Sequence, residues 1–125
     1  MIRQKKSDIE RIIYSLKHAV CGLKDAYKDE VSFRLEIFLG IIAVILAFTL
    51  DISVVKKIML IGSWSWVLII ELINSSIEAI VDRISLEIHP ISKKIKDFGA
   101  AAVLLAVINA VIIWSVILFN YYIGG

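Results

Sequence analysis

Residues Trp66 to Arg83, with the sequence WVLIIELINSSIEAIVDR, combine a strongly apolar segment with regularly spaced polar side chains. The charged and amide residues are Glu71, Asn74, Glu78 and Asp82. On an α-helix of about 3.6 residues per turn, these four share an arc of about 80°. Burying an unpaired carboxylate in hydrocarbon costs several kcal/mol, so this stripe requires partners. We therefore expect the functional site to lie along it.

The composition of the whole chain is that of a membrane protein. Of its 125 residues, 59% are hydrophobic, and the mean hydropathy is +0.84. Three segments, at about 33–50, 58–81 and 98–123, approach the roughly 20 apolar residues that cross a bilayer. A polar loop is expected between the second and third of them, over residues 84–95, because Pro90 should break the helical pattern there. The pattern predicts an all-α membrane protein with three transmembrane helices in a single domain over residues 1–125.

A different kind of helix is predicted before the first span. Ser7 and Glu10 have the spacing of a capping box, so a helix is expected over residues 8–28. Apolar residues recur there at spacings of three and four, and many of the remaining positions are basic. Such an amphipathic helix is typical of a segment that lies on the anionic inner leaflet, and it can also dock against the helical bundle.

The positive charges predict the orientation in the membrane. Of 14 Lys and Arg residues, 12 lie before the first span or around the second loop, and the other two, Lys56 and Lys57, lie in the first loop. The positive-inside rule then places the N-terminus in the cytoplasm and the C-terminus outside. The formal net charge of +2 gives no indication of nucleic-acid binding.

Polar residues from three segments are expected at one depth, near the cytoplasmic interface. Glu78 and Asp82 lie at the cytoplasmic end of the second span, Glu30 precedes the first span, and Lys96-Asp97 precedes the third. A buried ion-pair network is one interpretation. The other is a site for Mg²⁺ and phosphate, because hard cations prefer carboxylate and amide oxygens. Glu71, deeper in the bilayer, would suit a general base acting on a lipid hydroxyl.

These residues also carry a resemblance to a known family. The segment from Glu71 to Arg83, followed by Glu87-Ile-His89 and Lys96-Asp97-Phe-Gly, resembles the signature of the small bacterial membrane diacylglycerol kinases. The similarity extends upstream to Arg11, Glu30 and Phe33-Arg34, and downstream to Trp114. It covers nearly the whole chain. The chain departs from the family pattern at Leu35, where a polar residue is expected, and at Ala100, where serine is common.

The resemblance implies an ATP-dependent enzyme of the bacterial inner membrane that converts diacylglycerol to phosphatidic acid by direct phosphoryl transfer. It also implies a homotrimer with active sites shared between subunits. Glu71 would then be the catalytic base, and Glu30 and Glu78 would hold Mg²⁺ against the ATP phosphates. The other residues expected to contact ATP are Arg11, Asn74, Glu87, His89, Lys96 and Asp97. Those expected to contact the lipid are Phe33, Arg34 and Trp114. Asp82 would support the site.

Two alternatives remain open on the sequence. A sister branch of the family uses undecaprenol as the acceptor, and its motif is similar. From a different class, a small proton-coupled transporter would also place a carboxylate such as Glu71 inside the membrane. A transporter has no need for Glu30, Glu78 and Lys96-Asp97 to meet at the cytoplasmic interface, so the kinase is the favoured hypothesis.

Overall fold

The computed structural model describes residues 7–84 and 86–124 of the chain. In this part of the chain the backbone forms four α-helices, namely α1 Asp8–Asp29, α2 Val31–Thr49, α3 Val54–Ile84 and α4 Pro90–Tyr122. Helices α2, α3 and α4 are long and apolar enough to cross a membrane. The predicted fold class, an amphipathic helix followed by three candidate spans, is therefore confirmed.

The chain divides into two compact units, and the first covers residues 1–34. Its helix α1 begins with the predicted capping box. The hydroxyl of Ser7 accepts a hydrogen bond from the backbone N–H of Glu10 at 3.3 Å, and the Glu10 carboxylate accepts one from the Ser7 N–H at 2.9 Å. None of the residues of α1 is buried, so its apolar side chains form an exposed face. This pattern is typical of a helix that binds a membrane surface.

Glu30 separates α1 from α2. Its backbone is extended, and its N–H donates a hydrogen bond to the carbonyl of Ala26 at 2.9 Å. The guanidinium Nη1 of Arg34 donates to the carbonyls of Tyr27 and Lys28, both at 2.8 Å. The last carbonyls of a helix lack partners within it, so Arg34 caps the C-terminus of α1.

The second unit covers residues 35–125 and contains α3, α4 and most of α2. Helices α3 and α4 pack extensively against each other. Two buried clusters form the core, and both include small alanine side chains that let helices approach closely. The first consists of Ala47, Leu50, Leu60 and Ile117, and the second of Val67, Ala106 and Ala110.

The connection between α3 and α4 is shorter than predicted. The sequence interpretation placed a loop over residues 84–95, whereas α4 already begins at Pro90. A proline fits the first turn of a helix because the N–H that it lacks would have no helical partner there. His89 precedes it as the N-cap, and its Nδ1 accepts a hydrogen bond from the N–H of Ile91 at 3.1 Å. Pro90 therefore starts the helix that it was expected to interrupt.

Candidate functional site

The polar stripe of α3 is buried in its central part. Glu71 is 7% exposed and Asn74 is 8% exposed, and Val67, one turn before Glu71, is completely buried. Charged and amide side chains are seldom buried to this extent in an apolar helix unless they have a role. The structure therefore buries these two polar residues of the stripe.

Asn74 links the buried part of the stripe to Glu78. Its amide nitrogen Nδ2 donates a hydrogen bond to Oε1 of Glu78, one turn further along α3, at 3.3 Å. Its amide oxygen Oδ1 is buried and has no hydrogen-bond partner among the described residues. Buried polar atoms have a hydrogen-bond partner in the great majority of cases, so Oδ1 is a candidate ligand atom for a bound ion.

Gly99 of α4 lies directly against Asn74. A Cβ atom at position 99 would overlap Oδ1 of Asn74 and would come within 3.2 Å of its Cγ. Gly99 is itself buried. The absence of a side chain at this position therefore gives Asn74 the space that its amide occupies, and it lets α4 approach α3 beside the stripe.

Two ion pairs lie at the end of α3 and the start of α4. Nζ of Lys96 is 2.6 Å from Oδ1 of Asp82, which joins the two helices, and Nζ of Lys93 is 2.6 Å from Oδ2 of Asp97 within α4. These side chains are between 40% and 76% exposed, so the pairs contribute little to stability. The Lys96 side chain remains 40% exposed beside Asp82, and Asp82 follows Glu78 by one turn of α3.

A polar cavity of about 290 Å³ opens beside these ion pairs. Asp82, Glu87, His89, Lys96 and Asp97 are among the residues that line it. The structure thus brings together five of the residues that the sequence analysis assigned to ATP binding or to support of the site. The hydrogen bond that Nδ1 accepts from the N–H of Ile91 orients the His89 ring at this cavity.

The predicted residues of the first unit have local roles in the structure. Arg11 is exposed on α1, and Glu30 is the C-cap residue of that helix. Arg34, expected to border the lipid, caps the last turn of α1, and Phe33 is 2% exposed. Their predicted contacts with ATP, metal and lipid stay predictions.

Trp114 lies far from the polar stripe along the helices. Its indole Nε1 donates a hydrogen bond to the carbonyl of Leu60 at 3.2 Å. Leu60 precedes Glu71 by 11 residues of α3, which corresponds to about 17 Å along the helix axis. Within one chain, the structure therefore does not bring Trp114 next to Glu71, and its role at the lipid stays a prediction.

Glu36 is a residue of the site region that the sequence analysis did not single out. Its Oε2 is buried without a hydrogen-bond partner among the described residues. Its carboxylate is close enough to that of Glu71 for their charges to interact. The sequence could have indicated Glu36, because a carboxylate within an apolar membrane-spanning helix usually has a functional role.

The described residues 7–84 and 86–124 contain no group of three or more His, Cys, Asp or Glu side chains arranged to hold a metal ion. On α3, the Asn74 amide and the Glu78 carboxylate are joined by a hydrogen bond, and both carry oxygen atoms of the kind that suits a hard cation.

Comparison with known proteins identifies a family. Residues 17–118 match the model of the family described as prokaryotic diacylglycerol kinase. The chain is 42% identical over 112 residues to the diacylglycerol kinase of Escherichia coli (strain K12), an alignment that covers 90% of this chain and 92% of that protein. It is 40% identical over 115 residues to the diacylglycerol kinase of Haemophilus influenzae, with 92% and 98% covered. For the diacylglycerol kinase of Pseudomonas aeruginosa the identity is 37% over 115 residues, with 92% and 94% covered.

Proposed function

This chain belongs to the prokaryotic diacylglycerol kinase family and is a lipid kinase that phosphorylates diacylglycerol, and we propose that Glu71 is its catalytic base. The observation that carries the proposal is the burial of Glu71 on the same face of α3 as Asn74 and Glu78. The acceptor is a lipid, so its hydroxyl group is expected close to the apolar part of the bilayer. Of these side chains, the Glu71 carboxylate lies furthest from the ion pairs that end α3.

In this mechanism the phosphoryl group moves directly from ATP to the lipid. The acceptor oxygen forms a bond to the γ-phosphorus of ATP while the bond from that phosphorus to the bridging oxygen of ADP breaks. The hydroxyl proton passes to Glu71. Such transfers depend mainly on positioning and on charge stabilisation, so a buried base and nearby cationic side chains are suitable components.

We further propose that Glu30 and Glu78 hold Mg²⁺ and that Asn74 supports its binding. The side chains of α3 fit the ion, because Asn74 Oδ1 is a buried oxygen without a hydrogen-bond partner among the described residues and lies one turn from the Glu78 carboxylate. Mg²⁺ prefers such oxygens and usually enters with phosphate groups. When bound, the ion would neutralise charge on the ATP phosphates.

The nucleotide is proposed to bind in the polar cavity at the start of α4. Lys96 would offer its ammonium group to a phosphate, and Asp82 would hold that ammonium in place through the 2.6 Å contact. Glu87, His89 and Asp97 lie at the same cavity and would bind the rest of the nucleotide. Arg11, from α1, would add a further positive charge.

The location and assembly follow from the same proposal. The protein is a bacterial membrane protein, and we place it in the inner membrane with its N-terminus and the α3–α4 connection in the cytoplasm, where ATP is found. The excess of Lys and Arg in these segments supports this orientation. We also propose a homotrimer with active sites shared between subunits, with Phe33, Arg34 and Trp114 bordering the lipid.

The test uses purified full-length protein in mixed micelles with ATP, Mg²⁺ and either diacylglycerol or undecaprenol as the acceptor. We expect phosphatidic acid from diacylglycerol, with a kcat/KM at least about tenfold above that for undecaprenol, a difference of about 1.4 kcal/mol. A preference for undecaprenol would reassign the acceptor. The absence of a phosphorylated product from either lipid would refute the kinase mechanism and would direct attention to proton-coupled transport.

A further inference from the structure

The indole ring of Trp64 joins α3 to α2. Its Nε1 donates a hydrogen bond to the backbone carbonyl of Glu36 at 2.7 Å, although the two residues are 28 positions apart in the sequence. Trp64 also packs against the buried cluster of Val67, Ala106 and Ala110. The ring therefore contacts one neighbouring helix through a polar bond while its apolar surface faces the core.

Gly40 provides the space for this ring. A Cβ atom at position 40 would lie 2.7 Å from Cδ1 and 2.8 Å from Nε1 of Trp64, closer than side-chain contacts allow. Gly40 follows Glu36 by one helical turn, so the site of the hydrogen bond and the space for the ring lie on one face of α2. An indole and a glycine thus form a complementary pair between α2 and α3.

Trp64, which packs against Gly40 of α2, lies on the part of α3 that leads to the proposed catalytic base, Glu71. Trp64 precedes Glu71 by two helical turns, or about 10 Å, and lies on the same face of α3. On α2, Glu36 takes part in both contacts. Its backbone carbonyl accepts the hydrogen bond from Trp64, and its carboxylate lies close enough to Glu71 for the two charges to interact. Any movement of α2 away from α3 at Trp64 would therefore change the surroundings of Glu71.

Trp64 also lies at the border of two apolar grooves. One, of about 320 Å³, runs between α2 and α3, and Ile41 and Leu68 help to line it. The other, of about 220 Å³, lies between α2 and α4, and Leu39 and Trp114 help to line it. The indole lines both grooves, so a smaller side chain at position 64 would join them and enlarge the apolar space that α2 shares with α3 and α4.

We infer that Trp64 is a positioning residue for lipid phosphorylation. It holds α2 at a fixed distance from α3 through the Glu36 carbonyl, and it thereby restricts where the acceptor hydroxyl can lie beside Glu71. The inference rests on the proposed function of Glu71 as the base. It assigns Trp64 no contact with the reacting atoms, and it assigns Gly40 the role of accommodating the indole.

The first experiment compares Trp64→Phe with Trp66→Phe in the full-length protein. Phenylalanine retains an aromatic ring but cannot donate the hydrogen bond to Glu36. We expect kcat/KM for diacylglycerol to fall about tenfold in Trp64→Phe, because small displacements of reacting groups have large kinetic effects. The KM for ATP should be unchanged, since the nucleotide cavity lies at the other end of the stripe. Trp66 is 51% exposed, and Trp66→Phe should behave as wild type.

A second comparison tests the fit between Gly40 and Trp64. Gly40→Ala should reproduce the kinetic defect of Trp64→Phe, whereas Gly62→Ala should have no effect, because a Cβ at position 62 would meet nothing within 4 Å among the described residues. In a Trp64→Leu background the indole is gone, so Gly40→Ala should cause no additional loss. Additive losses from the two substitutions would show that Gly40 acts independently of Trp64 and would overturn the inference.

A physical measurement separates this inference from the proposed function. The indole N–H resonance of Trp64, identified by its loss in Trp64→Phe, should exchange slowly with solvent in wild type and faster in Gly40→Ala. Rapid exchange in wild type would refute the bond to Glu36. Wild-type kinetics in Trp64→Phe would overturn the positioning role alone. An inactive wild-type protein would instead overturn the proposed function, while the exchange measurement would still test the connection between α2 and α3.

Discussion

The amide oxygen of Asn74 on α3 lies directly against Gly99 on α4, with no space for a side chain between them. The same amide donates a hydrogen bond to Glu78 through its nitrogen. One glycine in α4 thus controls the position of a side chain in α3 that we propose to support metal binding. The contact also explains why the two helices can approach closely at a polar position.

The first prediction concerns this contact. Gly99→Ala should displace the Asn74 amide, because the new Cβ would overlap its oxygen. We expect kcat to fall at least about tenfold, and overpacking should lower the free energy of unfolding by about 1–3 kcal/mol. Activity assays and denaturant unfolding would measure the two effects. Gly62→Ala is the matched control on α3, and equal behaviour of the two variants would contradict the role given to Gly99.

The second prediction tests the base. Glu71→Gln keeps the size and hydrogen-bonding capacity of the side chain but removes its ability to accept a proton at neutral pH. We expect kcat to fall by about 10²–10⁴-fold, the usual contribution of a general base, with ATP affinity unchanged. Ser76→Ala is the control, because its exposed hydroxyl donates to the Leu72 carbonyl of its own helix. Wild-type turnover in Glu71→Gln would exclude Glu71 as the base.

The third prediction concerns the metal. Chelation by EDTA should abolish phosphoryl transfer, and added Mg²⁺ should restore it. Glu78→Gln should raise the Mg²⁺ concentration needed for half-maximal activity at least about tenfold, because it removes a negatively charged ligand. Asp51→Asn, which changes an exposed carboxylate between α2 and α3, should leave that concentration unchanged. Turnover that persists in EDTA would argue against a metal in the reaction.

The fourth prediction separates binding from stability at the ion pair of Asp82 and Lys96. Lys96→Met should raise the KM for ATP about tenfold, because it removes a charged contact to phosphate. The free energy of unfolding should change by less than about 1 kcal/mol, since both partners are at least 40% exposed. Lys94→Met, at a neighbouring exposed position, should affect neither quantity. If Lys96→Met instead lowered the free energy of unfolding strongly without changing the KM for ATP, the ion pair of Asp82 and Lys96 would have a structural role and no role in binding ATP.

Much of the fold could be predicted because the signals are local. The capping box of Ser7 and Glu10 depends on residues three positions apart, and the apolar length of α2, α3 and α4 reflects the thickness of the bilayer. The start of α4 was misjudged because Pro90 has two opposite meanings, interrupting a helix in its interior and fitting its first turn. The neighbouring N-cap His89 decides between them.

The candidate site was predicted only in part, for a related reason. Glu71, Asn74, Glu78 and Asp82 lie on one helix, so their periodicity alone places them on one face. Glu36 and Trp64 are on different helices, and their hydrogen bond spans 28 positions, which no local pattern encodes. The sequence did contain a glycine at position 40, but its complementarity to Trp64 is visible only when α2 and α3 are side by side.

The sequence by itself determined the all-α architecture, three apolar helices and the polar face of α3, because hydrophobic periodicity and segment length act within single helices. Only the tertiary structure decided which side chains from different helices meet, namely Asn74 with Gly99, Lys96 with Asp82, and Trp64 with Glu36 and Gly40. Apolar side chains can pack against one another in many registers. The hydrogen bonds, the ion pair and the close contacts at glycine form in only one register of the helices, and they therefore fix how the helices are aligned.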